Sequence, residues 1–114
     1  MNNDLPVRSD TMKSNETARA KFHPGRVVAT PGALEAIRAS GQAPEVFLGA
    51  HLEGHWGGDL CEEDRRLNDE ALIDGSRLLS AYRTLRGERI YIVTEAADDH
   101  GRRYSSTILL IGEY

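Results

Sequence analysis

HLEGHWGGDLCEEDRRLNDEAL, residues 51–72, is the stretch on which the reading of the fold turns. It holds the one Trp, the one Cys and two of the four His in the chain. Its elbow, Gly54-His55-Trp56-Gly57-Gly58, cannot continue a helix, because each interior glycine costs roughly 1 kcal/mol against alanine. The elbow therefore separates a short apolar helix from a charged one. Asp59 stands three residues before Glu62, the D-x-x-E form of a capping box, and predicts a helix from Asp59 to about Asp74. Leu60, Leu67 and Ala71 form its apolar stripe, with Leu72 and Ile73 beside it. Glu62, Glu63, Arg65, Arg66, Asp69 and Glu70 occupy the other side. Acids crowd its first turn, where they favour the positive end of the macrodipole. Gly75 supplies a left-handed stop.

Upstream, Arg26-Val27-Val28-Ala29-Thr30 has the β-branched composition of a short strand. Thr30-Pro31 starts a helix, with a hydroxyl at the N-cap and proline at the first helical position. Ala33, Leu34 and Ile37 follow at helical spacing, and Gly41 ends it. A second helix begins at Pro44 and sets Phe47, Leu48, His51 and Leu52 on one face. Downstream of Gly75 the period changes to two. Leu78, Ser80 and Tyr82 alternate with Leu79, Ala81 and Arg83. Ile90, Ile92 and Thr94 alternate with Tyr91, Val93 and Glu95, and a third run spans Tyr104 to Ile111. Turns at Gly87 and at Asp98-Asp99-His100-Gly101 join the three runs. The expectation is an α+β domain, β-α-α-α-β-β-β, with three short helices on one face of a small antiparallel sheet. The first strand belongs at the sheet's edge or beside the last strand.

A chain of 114 residues forms one domain with a modest core. Residues 1–21 are polar, almost without large apolar side chains, and read as a disordered extension to a single domain over 22–114. Met12 offers a second translation start within that extension. No apolar run approaches the roughly 20 residues of a membrane span, and the N-terminus has no apolar signal region. A single Cys makes no internal disulfide, which accords with a cytoplasmic protein. Residues 22–114 carry 10 basic and 15 acidic groups, and all the basic ones are Arg. A net of −5 argues against direct contact with the nucleic-acid backbone, whose phosphates reward positive charge. The partner class it favours is another protein.

Several residues carry candidate chemistry. His51, His55 and Asp59 recur every four residues and form a candidate metal set, should the loop bring them together. Gly57-Gly58 before a helix form a candidate anion cradle, although Asp59 competes for the same N–H donors. No phosphate-binding G-x-x-x-x-G-K-S/T run occurs, and no cofactor pattern is present. Trp56 is either the lid of the core or an exposed anchor; the apolar face of Phe47, Leu48 and Leu52 favours the lid. As a partner-binding surface, Trp56 groups with Glu62, Glu63, Arg65, Arg66 and Glu70. Cys61 lies among carboxylates that oppose a thiolate, so it reads as a packing residue. Thr94 and Glu95, across from Ser105, Ser106 and Thr107, read as the solvated face of the meander rather than a polar pocket.

The blocks GRVVATPGAL (25–34), H-x-x-G-x-W-G (51–57), E-E-D-R-x-x-N (62–68), RLLSAY (77–82), IVTEA (92–96) and TILL (107–110), with the terminal Glu113-Tyr114, resemble a family of small bacterial proteins. Its members are often borne on plasmids or mobile elements and often labelled type I restriction endonuclease subunit M. The resemblance covers about residues 22–114. A methyltransferase subunit needs a glycine-rich S-adenosylmethionine loop and an N-P-P-F/Y catalytic loop, and neither is here. The family tract is commonly G-D-W-G-D, whereas this chain reads Gly54-His55-Trp56-Gly57-Gly58-Asp59. The resemblance implies a non-catalytic accessory protein of a mobile element, acting on or against host restriction or CRISPR machinery. The alternative is a small metal-dependent hydrolase built on His51–Asp59.

Overall fold

The computed structural model describes residues 19–114, so the polar extension read at 1–21 lies, apart from its last three residues, outside the described part. Strand β1 (Arg26–Ala29) leads into helices α1 (Pro31–Ala39), α2 (Pro44–Leu52) and α3 (Glu62–Asp74). Strands β2 (Leu78–Arg83), β3 (Arg89–Thr94) and β4 (Ser105–Leu110) follow, and a 3-10 turn at Ile111–Glu113 ends the chain. The α+β order is the one the sequence predicts. The sheet differs in one respect. Its strand order is β1-β4-β3-β2, and β1 runs parallel to β4, so the sheet is mixed rather than antiparallel. The three helices between β1 and β2 let the chain return in either sense, and the composition of a four-residue strand does not encode which.

Thr30 caps α1 as expected, its hydroxyl accepting from the Ala33 N–H at 3.1 Å. Glu113 holds the same hydroxyl at 2.7 Å and accepts from the Leu110 N–H at 2.8 Å, tying the C-terminal turn to the start of α1. Ala33 and Ile37 from α1 and Phe47 from α2 pack on Ile90, Ile92 and Ile108, the inward rows of β3 and β4. A second cluster joins Trp56, Leu60, Ala71, Leu78 and Ala81 at the β2 side of the sheet.

Helix α3 begins at Glu62 with Cys61 as N-cap, three residues later than the capping-box reading. Asp59 does not cap it; its carboxylate is drawn instead to Arg83 and Arg89. The buried stripe is Asn68 and Ala71, while Leu67 is half exposed and Ile73 almost fully so. The physical reason is where α3 sits. It lies along the outer edge of β2, so the residues facing it must satisfy backbone as well as bury carbon. Asn68 does this: its Nδ2 donates to the Leu79 carbonyl at 2.6 Å and its Oδ1 accepts from the Leu79 N–H at 3.0 Å. The Trp56 carbonyl accepts from the Ala81 N–H, two residues along the same edge, at 3.0 Å. An open strand edge is a template for unwanted pairing, and here an amide side chain and the elbow occupy it.

Replacing Asn68 by Ala leaves a half-buried N–H and C=O at Leu79 without their partner. The expected cost is about 2–3 kcal/mol, since each buried unsatisfied polar group costs roughly 1–3. Chemical denaturation checks it. A loss under about 0.5 kcal/mol would show that the edge finds other partners.

Candidate functional site

Three alternating strands place one small hydroxyl each on the inward face: Ser80, Thr94 and Ser106, all fully buried. Cross-strand pairing sets Thr94 opposite Ser106. Helix α2 lowers His51 onto them, also fully buried. Its Nδ1 lies 2.5 Å from Ser80 Oγ and its Nε2 lies 2.8 Å from Thr94 Oγ1. Thr94 Oγ1 is 2.7 Å from Ser106 Oγ, which is 2.8 Å from the Pro24 carbonyl.

The carbonyl at the end of this chain fixes every proton in it, because a carbonyl only accepts. Ser106 therefore donates to Pro24, and Thr94 donates to Ser106. Having spent its one proton, Thr94 accepts from His51, so the imidazole carries its hydrogen on Nε2. Nδ1 is left as acceptor for the Ser80 hydroxyl. Each bond is satisfied, and the ring is neutral. Burial, with the Arg103 cation adding to it, lowers the His51 pKa to about 3. Phe22 meets the ring edge-on at 5.2 Å and Trp56 at 5.7 Å.

The sequence reading placed His51 beside Phe47 and left Thr94 and Ser106 on a solvated face. The structure corrects the second point: both hydroxyls are interior and bind through His51. The signal was present, as Ser80 and Thr94 interrupt otherwise apolar inward rows. A Ser-His pair of this geometry resembles half of a nucleophilic site, but solvent reaches neither residue. Its work is to tie β2, β3, β4, α2 and the segment before β1 at one point.

Linkage gives this neutrality a measurable consequence. Above the unfolded pKa near 6.5 the histidine is neutral in both states and the full stability is present. Below it the unfolded chain takes up a proton that the folded one refuses until about pH 3. Stability should fall by about 1.4 kcal/mol per pH unit as pH drops from roughly 6 to 5. Urea denaturation at stepped pH checks this, with H51Q expected to flatten that slope. An unchanged slope in H51Q would assign the dependence elsewhere.

The other candidate residues separate. His55 is solvent-facing, with Glu53 at 3.5 Å, and Asp59 accepts from Arg83 and Arg89 at 3.1 Å each. The Arg83 bond is the main cause holding the Asp59 carboxyl below its ordinary range. His51, His55 and Asp59 thus face three different surroundings, and among the described residues no group of three His, Cys, Asp or Glu could hold a metal ion. Gly57 does not line an open cradle: a Cβ there would sit 1.9 Å from the Ala81 carbonyl oxygen. Gly58 faces open space, in a turn ahead of α3 rather than at its first residue.

Of the partner-binding candidates, Trp56, Glu62, Arg65 and Arg66 line one depression, while Glu63 and Glu70 are exposed on α3 outside it. Trp56 is buried, 3% exposed, and donates from Nε1 to Asp69 at 3.0 Å. It forms one wall of a depression of about 400 Å³ with Gly54, Glu62, Arg65, Arg66 and Asp69. Arg65 is half-buried and donates to the Leu60 carbonyl at 3.1 Å. Arg66 bridges Glu63 at 2.7 Å and Glu70 at 2.5 Å on the exposed rim. Such pairs cost little to open, because exposed ion pairs contribute only about 0–1 kcal/mol. Half-exposed Leu67 lies beside them. Searches against protein-family models, curated proteins and solved structures find no match for this chain.

Proposed function

We propose that this protein is a non-catalytic binding module that docks another protein on the outer face of α3. The observation that carries the reading is the depression beside the elbow. There a rigid floor, set by the buried indole, is rimmed by Glu62, Arg65, Arg66 and Asp69, and the exposed pairs that Arg66 makes with Glu63 and Glu70 are held loosely enough to re-pair with a partner. The one histidine with reactive geometry is spent inside the core. No helix among the described residues is long and apolar enough to cross a membrane. In the setting the family resemblance implies, the module belongs to a bacterial mobile element and works in the cytoplasm. Its target there is host restriction or CRISPR machinery.

Affinity capture from a bacterial host tests it, with wild type beside an E62K/R66E double variant. The expected result is one protein, or one complex, retained by wild type and lost by the variant. The variant stays folded, with a melting temperature lowered by only several degrees for the lost pairs of Arg66 and the reversed charge in the first turn. Identical captures from both would remove α3 as the docking surface.

A further inference from the structure

A cleft of about 620 Å³ lies at the C-terminal end of α3 and shares no lining residue with the depression at Trp56. The segment ahead of β1 gives it Phe22 and His23, the close of α3 gives Ile73, and the turn before β4 gives Arg102, Arg103 and Tyr104. Among the described residues no Asp or Glu lines it, in a domain that is acidic as a whole. The acids adjoining it in sequence are engaged in their own turns. Asp74 accepts from the Ser76 N–H, and Asp98 accepts from the His100 and Arg102 N–H groups and the Tyr104 hydroxyl. Arg103 is half-buried; its Nη1 donates to the Ser76 and Glu95 carbonyls at 2.7 and 3.0 Å, and its Nη2 to the Ala71 carbonyl at 2.9 Å. Three of its five N–H groups are thereby fixed, and the other two, on Nε and Nη2, find no acceptor among the described residues. Carbonyls orient a guanidinium without cancelling its charge. Burial works against that charge and lowers the Arg103 pKa, with the Asp74 carboxylate opposing the shift. The Arg103 guanidinium stands 5.9 Å over the Phe22 ring and that of Arg102 stands 5.9 Å over Tyr104. Neither arginine makes an ion pair among the described residues. Ile73 is 89% exposed and Tyr104 59%, so the apolar rim of the cleft lacks cover.

We propose that this cleft binds a small molecule carrying one oxyanion, carboxylate or phosphate, on an apolar body. The oxyanion meets the two unspent N–H groups of Arg103 and the guanidinium of Arg102, planar forks whose spacing matches a pair of such oxygens. His23 accepts from the Gly25 N–H through Nδ1 at 3.0 Å, so the neutral ring carries its hydrogen on Nε2 and adds a donor at the border. The body lies against Ile73 and Tyr104 and removes from water the apolar surface that the fold leaves there. Small-molecule sites span roughly 300–1,000 Å³, and this cleft falls within that range. They also combine apolar walls with a few convergent polar groups, as here. An acidic polypeptide would satisfy the arginines and leave Ile73 and Tyr104 bare, which separates the two ligands by experiment.

The test titrates the full chain with naphthyl phosphate and with naphthoate, followed by amide proton–nitrogen correlation NMR. Saturable shifts should gather at Ile73, Gly75 and Gly101–Tyr104 and spare Glu62–Arg66, and the tighter of the two probes names the head group. Naphthylmethanol, which lacks the charge, and inorganic phosphate, which lacks the body, should each bind roughly tenfold more weakly or worse. Arg103 ties three backbone carbonyls, so its removal would test the fold rather than the site. R102Q and I73D, both at exposed positions, should instead weaken the tighter probe by roughly tenfold in a protein that stays folded. E62K/R66E, at the other end of α3, should bind as wild type does, so this inference and the protein-docking reading fail separately. The proposal is overturned if neither probe gives saturable shifts at these amides, or if naphthylmethanol or inorganic phosphate binds as well. It is also overturned if polyglutamate displaces the probe as readily as unlabelled probe does, or if R102Q and I73D bind like wild type.

Discussion

Replacing Gly57 by Ala is expected to leave little folded protein at ordinary temperature, while the same change at Gly58 is expected to be nearly silent. Gly57 has φ +100°, a conformation that L side chains rarely adopt. A methyl there would sit 1.9 Å from the Ala81 carbonyl oxygen and 2.7 Å from its carbon. Those are backbone atoms of a paired strand, so no rotamer change relieves the overlap. Either β2 moves off β3, or the elbow lifts and breaks the Ala81 N–H to Trp56 carbonyl bond. Lifting the elbow also carries Trp56 out of its cluster. The expected cost exceeds about 4 kcal/mol, in the range where single changes become exceptional. Domains of this kind have only about 5–15 kcal/mol in all. Gly58 meets nothing within 4 Å and is not in the left-handed region. G58A should therefore change stability by less than about 1 kcal/mol, with the gain from a stiffer unfolded chain on its side. Thermal melts of the two variants decide it. Equal melts would mean the elbow does not press on β2.

The contrast between adjacent glycines shows where the sequence speaks and where it falls silent. The Gly54–Gly58 run announces a break in helix, because glycine's effect there is local. Which glycine touches a strand some 24 residues later depends on tertiary approach, and nothing in the run marks it. The same division holds elsewhere. Thr30-Pro31 and Gly75 set helix ends through bonds made within one turn, and both ends stand where the residues place them. Asp59 looked equally local, yet two arginines from β2 and β3 compete for its carboxylate and shift the start of α3 to Glu62. Leu67 was assigned inward by hydropathy alone. The structure instead gives the inward place to Asn68, since a strand edge needs a donor and an acceptor more than it needs carbon. The clue was an amide three residues before Ala71, legible only once β2 is known to be the neighbour. The candidate surface fares likewise. Glu62, Arg65, Arg66 and Trp56 share one depression as the helical spacing suggests, while the His51–Asp59 spacing is dispersed by the glycines between. The buried proton chain is the least legible part, because it joins residues from four elements through partners 12 to 82 positions apart.

Trp56 to Ala is expected to cost about 3–5 kcal/mol, the range for large buried aromatics. The indole is enclosed on several sides. Phe22 stacks on it at 6.5 Å, His51 meets it edge-on at 5.7 Å, and Leu60, Ala71, Leu78 and Ala81 complete the cluster. Its Nε1 hydrogen bond reaches Asp69 on α3. Truncation would therefore open a cavity between the elbow, α3 and β2 and leave Phe22 half-supported. At roughly 4–8 °C per kcal/mol for a domain of this size, the melting temperature should drop by well over 10 °C. Two milder variants separate packing from polarity. W56F keeps an aromatic against Phe22 and gives up the bond to Asp69, and should lose less than W56A. D69N, at an exposed position, keeps an amide oxygen to accept from Nε1 and should lose under about 1 kcal/mol. Because the chain has one tryptophan, its fluorescence reports this site alone. The native emission should be blue-shifted and resistant to quencher, moving red only on unfolding. A red-shifted, readily quenched native signal, with W56A melting like wild type, would put the indole at the surface and overturn the packing described here.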